Sequence, residues 1–138
     1  MLAGVCLAAS RHPVRIVGVE PVDARRYART LAAGQPVSVP PPSTIADGLR
    51  AQGPGAVPYP IIRQRVDDLV AVGDEAITRA MKLLHGAGIA AEPTGSVALA
   101  GALEAGFTGK AAVVVSGGNG VTALSGQATR RDRNDNDR

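Results

Sequence analysis

The 138-residue sequence is poor in cysteine and aromatic residues, and each shortage argues against a class of protein. Cys6 is the only cysteine, so no internal disulfide can form, and a reducing, cytoplasmic setting fits. Aromatic residues make up 2% of the chain, which argues against the stacking platforms that bind single-stranded nucleic acid. The formal net charge is +3, but the basic residues are scattered among acidic ones, so no nucleic-acid partner is expected.

Long apolar runs and clustered metal ligands are also missing. The opening stretch MLAGVCLAAS is apolar, but no basic segment precedes it and it is too short to span a membrane. His12 and His85 lie far apart, with no cysteine or carboxylate at ligand spacing, so neither is predicted to bind a metal. What remains is 45% hydrophobic and 20% charged, which is typical of one globular domain with an apolar core.

Hydrophobic periodicity predicts an α/β domain over residues 1–124 and a disordered polar tail over 125–138. Strands that alternate with helices imply a mostly parallel sheet with helices on its faces. The first and last helices consist largely of small apolar residues and are predicted to be buried. Helices are expected at 2–10, 23–34, 73–88 and 92–106, with shorter helical segments from Thr44 and from Ile61; strands are expected at 14–20, 69–72 and 110–115.

Two of the predicted strands end in polar residues at the sheet edge where ligands bind in such folds. One ends at Glu20 and the other at Ser116, which is followed by two glycines that allow a ligand to approach the backbone. Each candidate also has a local explanation. Ser116 fits a turn bonded to its own backbone, Glu92 fits the positive end of a helix dipole, and the segment TIADG (44–48) fits helix capping. The residues alone leave both interpretations open.

Five segments occur in an informative order: IVGVEP, TIADGL, VDDLVAVGDEAI, AEPTGSVALAGAL and VVVSGGN. In order and spacing they resemble the C-terminal part of threonine dehydratases and serine racemases. These are pyridoxal-phosphate enzymes of the tryptophan-synthase-β-like family, also called fold type II. The resemblance runs from Met1 to about Val121 and implies a partial three-layer α/β/α parallel-sheet domain whose N-terminal half is missing.

The resemblance implies a cofactor site. Ser116 would hydrogen-bond the pyridine nitrogen of pyridoxal phosphate, and a neutral hydroxyl there leaves the ring a weaker electron sink than a carboxylate would. Other residues would form the rim, the segment beside the cofactor, and a buried acidic group near the ring. These are Gly117, Gly118 and Asn119 at the rim, Ala46, Asp47 and Gly48 beside the cofactor, and Glu92 as the acidic group.

Family members of the serine-racemase type also bind a divalent cation, through the glutamate of GVEP and an aspartate six residues later. Glu20 matches the glutamate, but Arg26 stands at the aspartate position, and Asp23 is out of register. Hard cations need several oxygen ligands. We therefore predict that this metal site is not intact, which leaves Arg26 available to pair with Glu20.

The Schiff-base lysine, the glycine-rich phosphate cradle and the substrate-carboxylate loop of the family have no match here, and neither Lys82 nor Lys110 corresponds to that lysine. The resemblance implies a threonine or serine ammonia-lyase, which converts a hydroxy-amino acid to a 2-oxo acid and ammonia. This chain is expected to be a truncated fragment, inactive alone, whose partner is the missing N-terminal half or a second copy. The alternatives are a serine or threonine racemase, half of a split enzyme, or a non-catalytic scaffold.

Overall fold

The computed structural model of the chain describes residues 1–117. Its helices and strands follow the α/β order that the sequence predicts as far as the last helix. The α-helices are α1 (Leu2–Ala8), α2 (Arg26–Ala33), α3 (Pro58–Arg65), α4 (Asp74–Gly86) and α5 (Pro93–Glu104); the strands are β1 (Val17–Pro21) and β2 (Asp68–Val72); short 3₁₀ turns lie at Ala9–Arg11 and Asp47–Leu49.

The two strands form a parallel pair at the centre of the domain. Val17 lies opposite Asp68 and Pro21 lies opposite Val72. Parallel strands need a long crossover connection, and here it contains α2, the Asp47–Leu49 turn and α3. The prediction of a mixed α/β fold with a parallel sheet is therefore confirmed.

Helices cover both faces of this sheet. Neighbouring residues of a strand point to opposite faces, and Gly18 and Val19 of β1 show what lies on each. A Cβ built on Gly18 would lie 2.9 Å from Cδ2 of Leu2 in α1, whereas a Cβ built on Gly101 of α5 would lie 2.7 Å from Cγ1 of Val19. Since α4 packs against α5, the main core lies between α4, α5 and the sheet.

Local sequence signals explain the position of two helices. In α4, Ile77, Ala80 and Leu84 are buried, as their helical spacing predicts. Gly34 ends α2 as its C-cap in the left-handed conformation, with φ at 68°, which glycine adopts at little cost. Gly73 holds the N-cap position of α4, and Asp74 is its first helical residue.

The third predicted strand is also wrong. Residues 110–117 have no regular secondary structure, and Val114 is 43% exposed. The apolar run has the composition of a buried strand, but a strand must pair its backbone groups with a neighbour. Within residues 1–117, β1 and β2 pair only with each other, so this segment has no partner strand.

The prediction that the first and last helices are buried holds only in part. In α1, Cys6 alone is buried and Leu7 is 53% exposed, since α1 packs against α3 and no other described helix covers its outer side. Helix α5 buries one side, including Val97 and Ala100, but leaves Leu103 54% exposed.

Two sequence predictions fall outside the described residues, namely the polar tail over 125–138 and the positions of Gly118 and Asn119. Among residues 1–117, no helix combines the length and apolar character needed to cross a membrane.

Candidate functional site

The first turn of α5 holds the segment that contains Asp47 and Gly48. The hydroxyl of Thr94 accepts a hydrogen bond from the Gly48 backbone N–H at 3.1 Å and donates one to Oδ1 of Asp47 at 3.2 Å. A Cβ built on Gly48 would lie 2.9 Å from Cγ2 of Thr94, so the Gly48 backbone packs closely against the Thr94 side chain. The Asp47–Leu49 turn is therefore attached to the start of this helix.

The same helix turn also contacts Ser116 and Gly117. The Glu92 N–H donates to the carbonyl oxygen of Gly117 at 3.4 Å. A Cβ built on Gly95 would lie 2.7 Å from the carbonyl oxygen of Ser116 and 2.8 Å from that of Gly117, closer than side-chain carbons pack. Only glycine at position 95 allows the chain to cross the helix at this distance.

Gly117 adopts a conformation that favours glycine. Its φ is 106°, within the left-handed region, and a Cβ at this position would overlap the carboxylate of Glu92. Glu92 occupies the N-cap position of α5 and is half-buried. The glutamate side chain thus lies directly against the turn that follows Ser116.

Asp74, the first residue of α4, holds the segment before Asp47 through hydrogen bonds. Its carboxylate accepts hydrogen bonds from the Thr44 hydroxyl at 2.6 Å and from the Ile45 N–H at 3.1 Å. The Thr44 hydroxyl in turn accepts from the N–H of Ala46 at 3.2 Å, and Ala46 is fully buried. Thr44 therefore stabilises its own turn and links that turn to the start of α4. It does not cap a helix, so the capping interpretation is wrong: Ala46 holds the N-cap position of the Asp47–Leu49 turn, without a side-chain capping bond.

The structure brings six of the eight predicted cofactor-site residues around the first turn of α5. Within residues 1–117, neither the Ser116 hydroxyl nor the Glu92 carboxylate makes a hydrogen bond, whereas Asp47 is bonded to Thr94 and Gly48. A half-buried hydroxyl in this setting can serve one additional polar group. The six residues are Ala46, Asp47, Gly48, Glu92, Ser116 and Gly117.

Glu20 lies at a different place and has a structural role. Its side chain is buried, and its two oxygens accept hydrogen bonds from the N–H groups of Tyr27 at 2.9 Å and Ala28 at 3.0 Å. It therefore satisfies donors that the first turn of α2 leaves without partners. The expected Arg26–Glu20 pair does not form, because the Arg26 guanidinium donates to the carbonyl oxygen of Leu49 at 2.8 Å.

The remaining lysine and histidine candidates are either exposed or close to a backbone carbonyl group. Lys82 and Lys110 are exposed, His12 is exposed, and the Nε2 atom of His85 lies 2.8 Å from the carbonyl oxygen of Ala91. No group of three His, Cys, Asp or Glu side chains that could hold a metal is found within residues 1–117. Two shallow cavities, of about 390 and 230 Å³, are lined by none of the predicted site residues.

Thr94 and Gly95, which connect the two halves of the site, are not among the residues predicted from the sequence. Both follow the Glu-Pro pair that starts α5, at positions where a helix needs neither a hydroxyl nor a glycine. A helix-disfavouring residue pair in the first turn is the signal that could have identified a close backbone contact.

Comparison with known proteins identifies the family. The family model for pyridoxal-phosphate dependent enzymes matches residues 1–123. The chain belongs to this family of pyridoxal-phosphate-dependent enzymes. Enzymes of this family depend on pyridoxal phosphate. The match confirms the resemblance inferred from the order of the five segments.

Curated relatives and solved structures of the family agree with this assignment. The chain is 39% identical to a serine racemase of Oryza sativa subsp. indica, covering 86% of this chain and 38% of the relative. It is 40% identical to an L-threonine ammonia-lyase of Geobacter sulfurreducens, covering 86% and 31% respectively. The chain thus spans between three and four tenths of the length of these relatives.

Two solved structures of the family share the fold. The serine racemase from Dictyostelium discoideum superposes with a TM-score of 0.76 at 32% identity, covering 86% of this chain and 40% of that one. The maize serine racemase gives a TM-score of 0.69 at 42% identity, covering 74% and 33%. The domain is therefore part of a fold type II architecture.

Proposed function

We propose that the first turn of α5, with the two segments packed on it, forms the ring-binding part of a pyridoxal-phosphate site in a hydroxy-amino-acid ammonia-lyase. One observation carries the proposal. A single helix turn, through Thr94 and Gly95, contacts both the segment of Asp47 and Gly48 and that of Ser116 and Gly117. Residues nearly seventy positions apart in sequence are thereby brought next to the same helix turn. The local explanations of these residues, such as capping or a backbone turn, do not predict this proximity.

The residues present fit the ring of this cofactor. The ring needs a polar partner for its nitrogen and flat, apolar or backbone surfaces for its faces. Ser116 offers a hydroxyl, Gly48 offers a small backbone surface above the buried Ala46, and the close contact at Gly95 holds the serine backbone in place. When bound, the cofactor supplies an electron sink for cleavage of bonds at the amino-acid α-carbon.

In this proposal each side chain has a defined part. Ser116 would donate a hydrogen bond to the ring nitrogen and, being neutral, would leave the ring without a full positive charge. Glu92, which lies against Gly117, would border the ring, and Thr94 keeps the Asp47–Leu49 turn in position. A weaker electron sink favours expulsion of a β-hydroxyl over reactions that hold negative charge for longer, which supports an ammonia-lyase.

Racemisation of serine is the second candidate, and a specific observation favours it. The rice relative named serine racemase matches at 39% identity, similar to the 40% of the threonine ammonia-lyase. In either case we propose that the lysine and the phosphate-binding groups come from residues outside this sequence, since Lys82 and Lys110 are exposed and neither matches the Schiff-base lysine in the family resemblance.

Ring binding can be tested on the 138-residue chain with pyridoxine 5′-phosphate. This compound has the ring and phosphate but no aldehyde, so it cannot react with Lys82 or Lys110. We expect Ser116→Ala to weaken binding about tenfold, roughly the loss of one hydrogen bond, as measured by ligand fluorescence. The matched control is Ser10→Ala, which removes an exposed hydroxyl from the Ala9–Arg11 turn. Equal binding by both variants would contradict the proposal.

The reaction can be tested by supplying the absent region. The chain is mixed with the N-terminal part of the rice relative, up to the start of the matched region, and with pyridoxal phosphate. We expect 2-oxo acid from L-threonine or L-serine in the mixture and none from the chain alone. Formation of D-serine without 2-oxo acid would replace the ammonia-lyase by the racemase. Turnover by the chain alone would contradict the requirement for outside residues.

A further inference from the structure

Arg26 stands where the family resemblance places a carboxylate ligand for a divalent cation, and the surrounding residues do not fit such an ion. The other expected ligand, Glu20, already uses both carboxylate oxygens to accept backbone N–H groups of α2. Asp23 is exposed and out of register. Divalent cations of the Mg²⁺ and Ca²⁺ type need several oxygen ligands in one place, which this part of the molecule does not offer.

The guanidinium of Arg26 instead reaches across to the segment that borders the candidate site. Its Nη1 atom donates to the carbonyl oxygen of Leu49 at 2.8 Å and to that of Ala51 at 3.4 Å. The guanidinium also lies 5.5 Å from the ring centre of Tyr27, within cation–π range. Arg26 is half-buried, so these contacts are only partly screened by water.

One of the carbonyl groups that Arg26 contacts, that of Leu49, closes the Asp47–Leu49 turn, and the other, that of Ala51, lies two residues beyond it. Such groups carry partial negative charge and favour a cation. The other end of the turn is held by Thr94, which contacts Asp47 and Gly48. The turn is thus fixed at one end by α5 and at the other by α2.

We propose that Arg26 is a positioning residue, a fixed positive charge that holds the Asp47–Leu49 turn against α2, and that the chain binds no divalent cation at Glu20. A cation that approached Glu20 would have to displace the two backbone hydrogen bonds that its carboxylate accepts from α2. This inference concerns stability and metal binding, and it does not rest on the proposed function.

The test compares three variants of the full 138-residue chain by amide hydrogen exchange. Arg26→Gln removes the charge, Arg26→Lys keeps it, and Arg29→Gln removes an exposed arginine from the same helix as a matched control. The amides of residues 46–50 are protected by hydrogen bonds in the native chain and report on the turn. We expect exchange there to become about tenfold faster in Arg26→Gln, partly restored in Arg26→Lys and unchanged in Arg29→Gln.

Direct measurement of divalent-cation binding tests the second part of the proposal, and its result does not depend on whether a variant loses packing. The native chain is measured in EDTA and in millimolar Mg²⁺, Ca²⁺ or Mn²⁺, by thermal unfolding and by the electron paramagnetic resonance signal of free Mn²⁺. We expect no shift in melting temperature and no saturable Mn²⁺ binding. Stoichiometric Mn²⁺ binding, or slower exchange at 46–50 on adding Mg²⁺, would overturn the proposal. An equal exchange rate in Arg26→Gln and Arg29→Gln would also overturn it.

Discussion

Gly95 offers the sharpest test of how the site is built, because substitution by alanine has two opposing effects. In a helix, alanine is favoured over glycine by about 1 kcal/mol. At position 95, however, the added Cβ would lie 2.7 and 2.8 Å from two backbone carbonyl oxygens of Ser116 and Gly117. Backbone atoms cannot rotate away as a side chain can, so the crossing segment itself must move by about 0.7 Å, from 2.7 Å to ordinary van der Waals contact.

The consequence of that movement follows from the neighbouring hydrogen bond. The Glu92 N–H lies 3.4 Å from the Gly117 oxygen, near the limit for a hydrogen bond, so a retreat of this size breaks it. Overpacking at such a contact costs about 1–3 kcal/mol, which offsets or exceeds the helix gain. We expect Gly95→Ala to be no more stable than the native chain and to bind pyridoxine 5′-phosphate about tenfold more weakly, since the Ser116 hydroxyl is displaced.

The matched control is Gly4→Ala in α1, where the added Cβ would meet no atom within 4 Å. This change should raise the free energy of unfolding by about 0.5–1 kcal/mol through helix propensity alone. Urea unfolding and ligand fluorescence measure the two effects separately. If Gly95→Ala were stabilised as much as Gly4→Ala and its affinity were unchanged, the close crossing at α5 would be refuted.

Two further predictions concern the stability of the domain. Asp74→Ala should lower the free energy of unfolding by about 2 kcal/mol, because it removes the acceptor for Thr44 and Ile45. In the same urea unfolding experiment, the control Glu75→Ala, at an exposed residue, should change it by less than about 0.5 kcal/mol, and equal losses would contradict the role of Asp74. Burial raises the pKa of the Cys6 thiol above its ordinary value of 9.0, so the folded state favours the neutral thiol. The contribution of the buried thiol to stability is therefore present below about pH 9 and is lost as the pH rises through the folded-state pKa. Alkylation of Cys6 by iodoacetamide at about pH 8 should be slower in the folded chain than in urea, and equal rates would contradict its burial.

Features encoded by a single segment were predictable from the sequence. The apolar spacing of Ile77, Ala80 and Leu84 sets the buried side of α4, and Gly34 sets the end of α2, because both depend on residues within two helical turns. The order of the five sequence segments was sufficient to predict the family and the parallel sheet. These signals do not require knowledge of any distant contact.

Features that depend on a distant partner were not predictable. The valines at 113–115 have a strand's composition, but pairing requires an available edge, which composition does not report. Glu20 likewise has the identity of a metal ligand, although its carboxylate satisfies the start of α2. A carboxylate that accepts two backbone N–H groups and one that binds a cation look the same in sequence, and only the position of the next helix distinguishes them.

The candidate site combines both cases. Ser116, Asp47 and Glu92 were identified through the order of segments, but the residues that join them, Thr94 and Gly95, carry no chemistry of their own and were not singled out. Their importance is geometric, since one small and one hydroxyl-bearing residue let two backbone segments reach the same helix turn. A site assembled in this way depends on contacts that tolerate no added carbon atom. Its sensitivity to substitution should therefore be as high at the glycines that set the distances as at the polar groups that would touch a ligand.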